Sequence, residues 1–126
     1  AKYSHYNYIP PLPQVELAKE IRKHHVFVFP TLEDGFGQTL IQAMASGLIP
    51  ITTDHCGAAD FTYLKNSQWR VPAYSSDELR DRINRLIANP EIISELRGQA
   101  ITAAQSMTWD RYKAQIGKFL VPRIPN

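Results

Sequence analysis

The sequence predicts an α/β fold, a short parallel sheet flanked by helices with a helical C-terminus, and three observations predict it. Val26 to Phe29, Leu48 to Thr53 and Trp69 to Val71 are short runs of β-favouring residues, and Pro30 and Pro72, which cannot donate to a sheet ladder, stop the first and the last. Between the first two runs, Leu40, Ile41, Met44 and Ala45 fall at the spacing of one face of a helix. Strand and helix patterns then alternate, an order that needs crossover connections and therefore parallel pairing.

Each element follows in order. Ala1 to Tyr8 carries three tyrosines and leads into Ile9-Pro10-Pro11-Leu12-Pro13, which must be extended because proline fixes φ and lacks a donor. Pro10 and Pro13 satisfy a P-x-x-P spacing, but a rigid connector is the better reading of so short a pattern. From Gln14, Val15, Leu17, Ala18 and Ile21 trace a short amphipathic helix ending near His24-His25. The strand Val26 to Phe29 comes next. A polar turn follows in which Gly35 and Gly37 flank Phe36, and a helix starts at Gln38 with Gly47 as its C-terminal cap. Leu48 to Thr53 reads as a buried strand, with Pro50 arguing for an edge or a bulge. Asp54 to Gly57 is a turn, and Ala58 to Asp60 opens a helical turn running through Phe61 and Leu64, with Gly57 serving the turn and Asp60 capping the helix start. After the minimal strand Trp69 to Val71 come three helices. Ser76 to Ala88 has Ser76 as N-cap and Leu79, Ile83, Leu86 and Ile87 inward; Glu91 to Ser106 is entered through Asn89-Pro90. Thr108 to Phe119 has Thr108 as N-cap and Trp109, Tyr112, Ile116 and Phe119 inward, Trp109 being the core anchor.

Composition bounds the function. With 126 residues the chain is expected to be one domain at most, with no room for a second. A net charge of +2 with no long single-sign run disfavours nucleic acid as a partner. A lone cysteine, Cys56, excludes an internal disulfide framework. No run approaches the roughly 18 apolar residues of a membrane span or the pattern of a signal peptide, so the cytoplasm is the expected compartment. The irregular, aromatic-rich opening after Ala1 raises the expectation of a start within something longer. His24, His25, His55 and Cys56 lack a metal-ligand spacing, and neither metal nor cofactor is expected.

The strand, glycine-bearing loop and helix start of residues 26–47 bring unpaired backbone N–H groups and a positive dipole end to one point, a ready site for phosphate or another anion. Gly35, Phe36 and Gly37 are the candidate donors, because glycine lets a ligand approach the main chain closely. The competing reading is a tight turn with Phe36 as core filler.

The run V-F-V-F-P-T-L-E-D-G-F-G-Q-T-L-I-Q-A-M-A-S-G-L-I-P-I-T-T-D resembles the signature block of retaining GT-B glycosyltransferases, the family-four-like group also described as glycosyl transferases group 1. Gly57 with Asp60, the helix pair after Val71-Pro72, and Thr108-Trp109-Asp110 extend the likeness over nearly the whole chain. The resemblance implies the later half of a Rossmann-like C-terminal domain, so that residues 1–126 form a single partial domain binding a UDP- or GDP-sugar. It also implies a sugar transferred to an acceptor hydroxyl with retention. The acceptor, a glycan or a lipid, would be held by an N-terminal domain with no counterpart here, and this chain alone would be inactive. The full-length enzyme would be cytoplasmic, or at the inner face of a membrane. Exposed strand edges and apolar faces lead to an expectation of self-association or a covering domain.

The family's motif is two glutamates separated by seven residues, and Asp34 and Gln42 hold those positions. Asp34 keeps a carboxylate that can accept from sugar hydroxyls, with Glu33 as second choice for that role. Gln42 keeps reach but not charge at the position that holds the ribose diol, which puts catalytic competence in question; otherwise it is a solvated residue paired with Gln38. Leu12, with Pro11, sits where the family's backbone meets the nucleobase. A second function of a different class is a non-catalytic nucleotide-sugar-binding or scaffold module derived from such an enzyme.

Overall fold

A computed structural model describes residues 5–120. In order the elements are α1 (Gln14–Ile21), β1 (Val26–Phe29), α2 (Gln38–Ala45), β2 (Ile49–Thr53), α3 (Gly57–Asp60), a 3-10 turn (Tyr63–Asn66) and β3 (Arg70–Val71). The chain continues with α4 (Ser76–Ala88), a 3-10 turn (Pro90–Ile92), α5 (Ile93–Gln105) and α6 (Trp109–Leu120). Both strand pairs are parallel in the order β1-β2-β3, Val26 aligned with Ile49 and Thr53 with Val71. This is the α/β arrangement that the alternation of patterns predicts.

The core lies where β2 meets α2 and α5. Ile49 and Ile51 of β2, Leu40 and Met44 of α2, and Leu96, Ala100 and Ala104 of α5 are buried together with Trp69. The small residues of α5 let it lie close against α2 and β2. The chain leaves α2 through Gly47, whose φ of 83° is the left-handed turn expected of a C-terminal glycine.

Pro50 corrects the reading of its strand. β2 is central among the described strands, and no bulge interrupts its register with β1. Alternate N–H groups of a strand point to opposite neighbours. Ile49 donates to His25 and Thr52 to Trp69, so position 50 faces the β3 side, where pairing begins only at Thr52. The absent donor therefore falls where there is no partner to miss it.

The helices bring four more corrections. Ser75, not Ser76, caps α4, its hydroxyl accepting the Glu78 N–H. Ile87 is exposed while Leu79 and Ile83 reach the core, because α4 meets the core along a narrower stripe than a four-residue apolar face. Asp60 closes α3 rather than capping its start, and binds the Arg70 guanidinium at 2.9 Å. Thr108 does cap α6, its hydroxyl accepting from the Arg111 N–H, but the apolar face of that helix is open. Trp109 is 75% exposed and Tyr112 54%, edge to face with each other rather than anchored in the core. The Phe119 side chain lies outside the described residues, as does Tyr3.

Candidate functional site

The carboxyl ends of β1 and β2 carry the candidate residues, and the two exits are fastened rung by rung. Buried Thr52 and Thr53 donate their hydroxyls to the carbonyls of Phe29 (3.2 Å) and Thr31 (2.5 Å). The His55 ring Nδ1 bonds the Leu32 carbonyl at 2.6 Å. Beyond it, the Asp34 N–H donates to His55, the Gly57 N–H to the Asp34 carbonyl, and the Ala58 N–H to the Phe36 carbonyl. Residues 29–36 are thus laid along 52–58 as a prolongation of the parallel ladder, with Asp34 and Cys56 forming a bridge pair. The threonines satisfy their own buried hydroxyls in the same bonds.

Two glycines make the close approach possible. Gly37 immediately precedes α2 with a φ of 84°, and a Cβ there would collide with the buried Cys56 sulfur. A Cβ on Gly57 would collide with the Gly35 carbonyl. The expected role of Gly57 in its turn is therefore one of main-chain contact with the glycine loop.

The Asp34 side chain turns back on the loop, its Oδ1 accepting the Phe36 N–H at 3.1 Å. Of the three candidate N–H groups, that of Phe36 is therefore held within the loop. Among the described residues the N–H groups of Gly35 and Gly37 have no protein partner. Asp34 is half-buried, and its second carboxylate oxygen remains available to accept. Phe36 is not core filler: it is 40% exposed and meets the exposed Phe61 ring at 6.5 Å between centroids. Glu33 is exposed.

Gln42 lies one turn into α2 on the exposed face it shares with Gln38, Thr39 and Ala45. Side chains of a helix lean toward its N-terminus, so Gln42 leans toward the loop end. Gln38 and Gln42 make no side-chain bond to one another among the described residues. Leu12 and Pro11 line a different space, an apolar groove of about 500 Å³ along Leu17, Ile21 and His24 of the α1 region, and none of residues 33–37 lines it. A second cleft of about 240 Å³ opens beside the β-strand exits between Leu32, Thr53, Tyr74 and Leu79. Tyr74 stands at its rim in the left-handed region, φ 64°.

The pair of threonines ending β2 was the available sequence signal for the ladder, since a hydroxyl at a strand's end can satisfy carbonyls leaving its neighbour. Nothing in the spacing of His55 marks its bond to Leu32. No group of three or more His, Cys, Asp or Glu side chains among the described residues is placed to hold a metal ion.

The family model described as "Glycosyl transferases group 1" matches residues 4–107. The chain belongs to the group 1 glycosyl transferases. The D-inositol 3-phosphate glycosyltransferase of Streptomyces bingchenggensis (strain BCW-1) is 30% identical over 105 residues, 83% of this chain and 23% of that protein. Sucrose-phosphate synthase 4 of Arabidopsis thaliana is 29% identical over 87 residues, 69% of this chain and 8% of the relative. Sucrose synthase of Nitrosomonas europaea is 30% identical over 95 residues, 71% and 12% of the two chains. This group 1 glycosyl transferase chain therefore spans less than a quarter of the length of those relatives. No solved structure matches it. Its parallel sheet flanked by helices is Rossmann-like, as the resemblance implies, and no helix among the described residues is long and apolar enough to cross a membrane.

Proposed function

We propose that this chain is the donor-binding part of a glycosyltransferase that moves a sugar from a UDP- or GDP-sugar to an acceptor hydroxyl with retention of configuration. In that reaction the bond from the anomeric carbon to the diphosphate oxygen breaks, a bond to the acceptor oxygen forms on the same face of the sugar, and the acceptor's hydroxyl proton passes to the departing diphosphate. The observation that carries the reading is the loop of residues 33–37, fastened to the β2 exit at the N-terminus of α2. Free N–H groups at Gly35 and Gly37, with the dipole end of α2, would stabilise charge growing on the leaving diphosphate. Asp34 would accept from sugar hydroxyls through its free oxygen, and Gln42 would bond the ribose diol as a neutral donor and acceptor. Leu12 and Pro11 would border the base. The acceptor glycan or lipid would be bound by a second domain, in a protein of the cytoplasm or the inner membrane face, and residues 1–126 alone would bind donor without turnover.

Isothermal titration of the protein at its natural full length with UDP- and GDP-sugars tests this. Saturable binding of one of them, weakened at least about tenfold by Asp34→Ala, is expected. Absence of binding by every sugar nucleotide overturns the reading. A second reading, a non-catalytic sugar-nucleotide-binding module, is favoured by the neutral Gln42 at a position where the family resemblance implies a glutamate. The double variant D34E/Q42E separates the two: a gain in transfer marks a degraded enzyme, and unchanged transfer beside an active wild type marks a competent variant.

A further inference from the structure

We infer that His55 is a positioning residue that latches the Asp34 loop through the Leu32 carbonyl. The loop from Pro30 to Gly37 has no regular secondary structure of its own apart from the bridge at Asp34, so its shape depends on where it is tied. Thr53 ties Thr31, and main-chain bonds tie Asp34 and Phe36. Between those points stand Leu32 and Glu33. Both side chains are exposed, Leu32 by 50%, so apolar burial does not anchor them. Among the described residues the His55 ring makes the hydrogen bond that holds this stretch, at 2.6 Å.

The same residue accepts the Asp34 N–H on its own carbonyl, so one residue fixes the loop on both sides of Glu33. A carbonyl oxygen can only accept, which requires the proton on Nδ1 and leaves Nε2 bare in the neutral ring. The Asp54 carboxylate lies 3.8 Å from Nε2, too far for a hydrogen bond, and attracts the ring only when both of its nitrogens carry protons, so the Leu32 carbonyl is the partner that holds the neutral ring. Asp54 is itself fixed by the Ala73 N–H on Oδ1 at 2.9 Å and by Arg70 on its carbonyl at 3.1 Å. Freeing Leu32 would let the Asp34 carboxylate wander from the geometry in which it bonds the Phe36 N–H, and preorganisation of a binding loop is what such a bond supplies.

That a sugar nucleotide uses the loop rests on the function proposed above; the latch itself does not. The test compares His55→Ala with His55→Asn, whose side-chain N–H₂ can donate the same bond. Amide exchange at Asp34 and Phe36 is expected to quicken about five- to tenfold in H55A, the effect of losing one modest hydrogen bond, and to return near the wild-type rate in H55N. Long-range ¹⁵N spectra above neutral pH are expected to show His55 protonated at Nδ1. Titration with UDP-glucose and GDP-mannose is expected to show donor affinity falling by a similar factor in H55A and recovering in H55N. Should H55A fail to fold, H55Q against H55N makes the same comparison, the amide being moved out by one methylene. Unchanged exchange in H55A, no rescue by H55N, or a proton on Nε2 overturns the latch. A wild type that binds no UDP- or GDP-sugar overturns the donor reading, while the exchange rates still decide the latch.

Discussion

At Gly37 the backbone turns with a φ of 84° directly above the buried Cys56 sulfur. Any side chain there meets both a left-handed conformation and an occupied site, so Gly37→Ala is expected to destabilise the fold by about 2 to 4 kcal/mol, read by chemical denaturation. Tyr74 has the opposite problem, an aromatic side chain in the left-handed region with most of its ring in solvent. Tyr74→Gly is expected to raise stability by about 0.5 to 1 kcal/mol, net of the entropy that glycine adds to the unfolded chain. Tyr63 buries its hydroxyl without a protein partner among the described residues, and that burial pushes its pKa from 10.0 up to about 12. The unfolded chain releases this proton near pH 10 and the folded one only near 12, so stability is full below the lower value and declines as pH rises toward the higher. Tyr63→Phe is expected to leave stability at neutral pH unchanged or raised and to flatten the alkaline fall in Tm across that window. Gly37 was legible as a loop glycine from its neighbours; its quarrel with Cys56 was not, since the two lie on separate elements brought together only by the ladder.

Elements were legible wherever a local rule sufficed. The β1 run, the spacing of Leu40, Ile41 and Met44, and Gly47 each state their structure within a few residues, and the helices stand where those patterns place them. Pro50 by itself points to an edge or a bulge, whereas its actual effect depends on how far β3 extends beside it, a property of another strand. Ile87 and the apolar face of α6 show the same limit from the side of burial: helical spacing reveals that a face is apolar without revealing what covers it. Trp109 is the sharpest case. As a core anchor its loss would be severe, but at 75% exposure Trp109→Ala is expected to shift stability by less than about 0.5 kcal/mol in thermal melts of this chain.

Across the whole molecule, apolar surface is left open on the first and last helices. Val15 and Leu17 of α1 and Trp109, Tyr112 and Ile116 of α6 face outward, and neither helix contributes a buried residue to the described core. Apolar side chains gathered on one exposed helix face, as Trp109 and Tyr112 are, favour association. The 126-residue chain is expected to gain average mass with concentration in sedimentation equilibrium, and the triple variant W109E/Y112E/I116E to abolish the gain; a constant monomer mass would refute self-association. The sequence by itself determined the alternation of strands and helices, the glycine loop ahead of α2 and the family, because each is written in neighbouring residues whose spacing is a local matter. Only the tertiary structure decided that Thr52, Thr53 and His55 would fasten that loop, and that α6 would keep its aromatic face in water. Those outcomes turn on hydrogen bonds and burial between residues some twenty positions apart, where pairing of strands rather than chain order sets who meets whom.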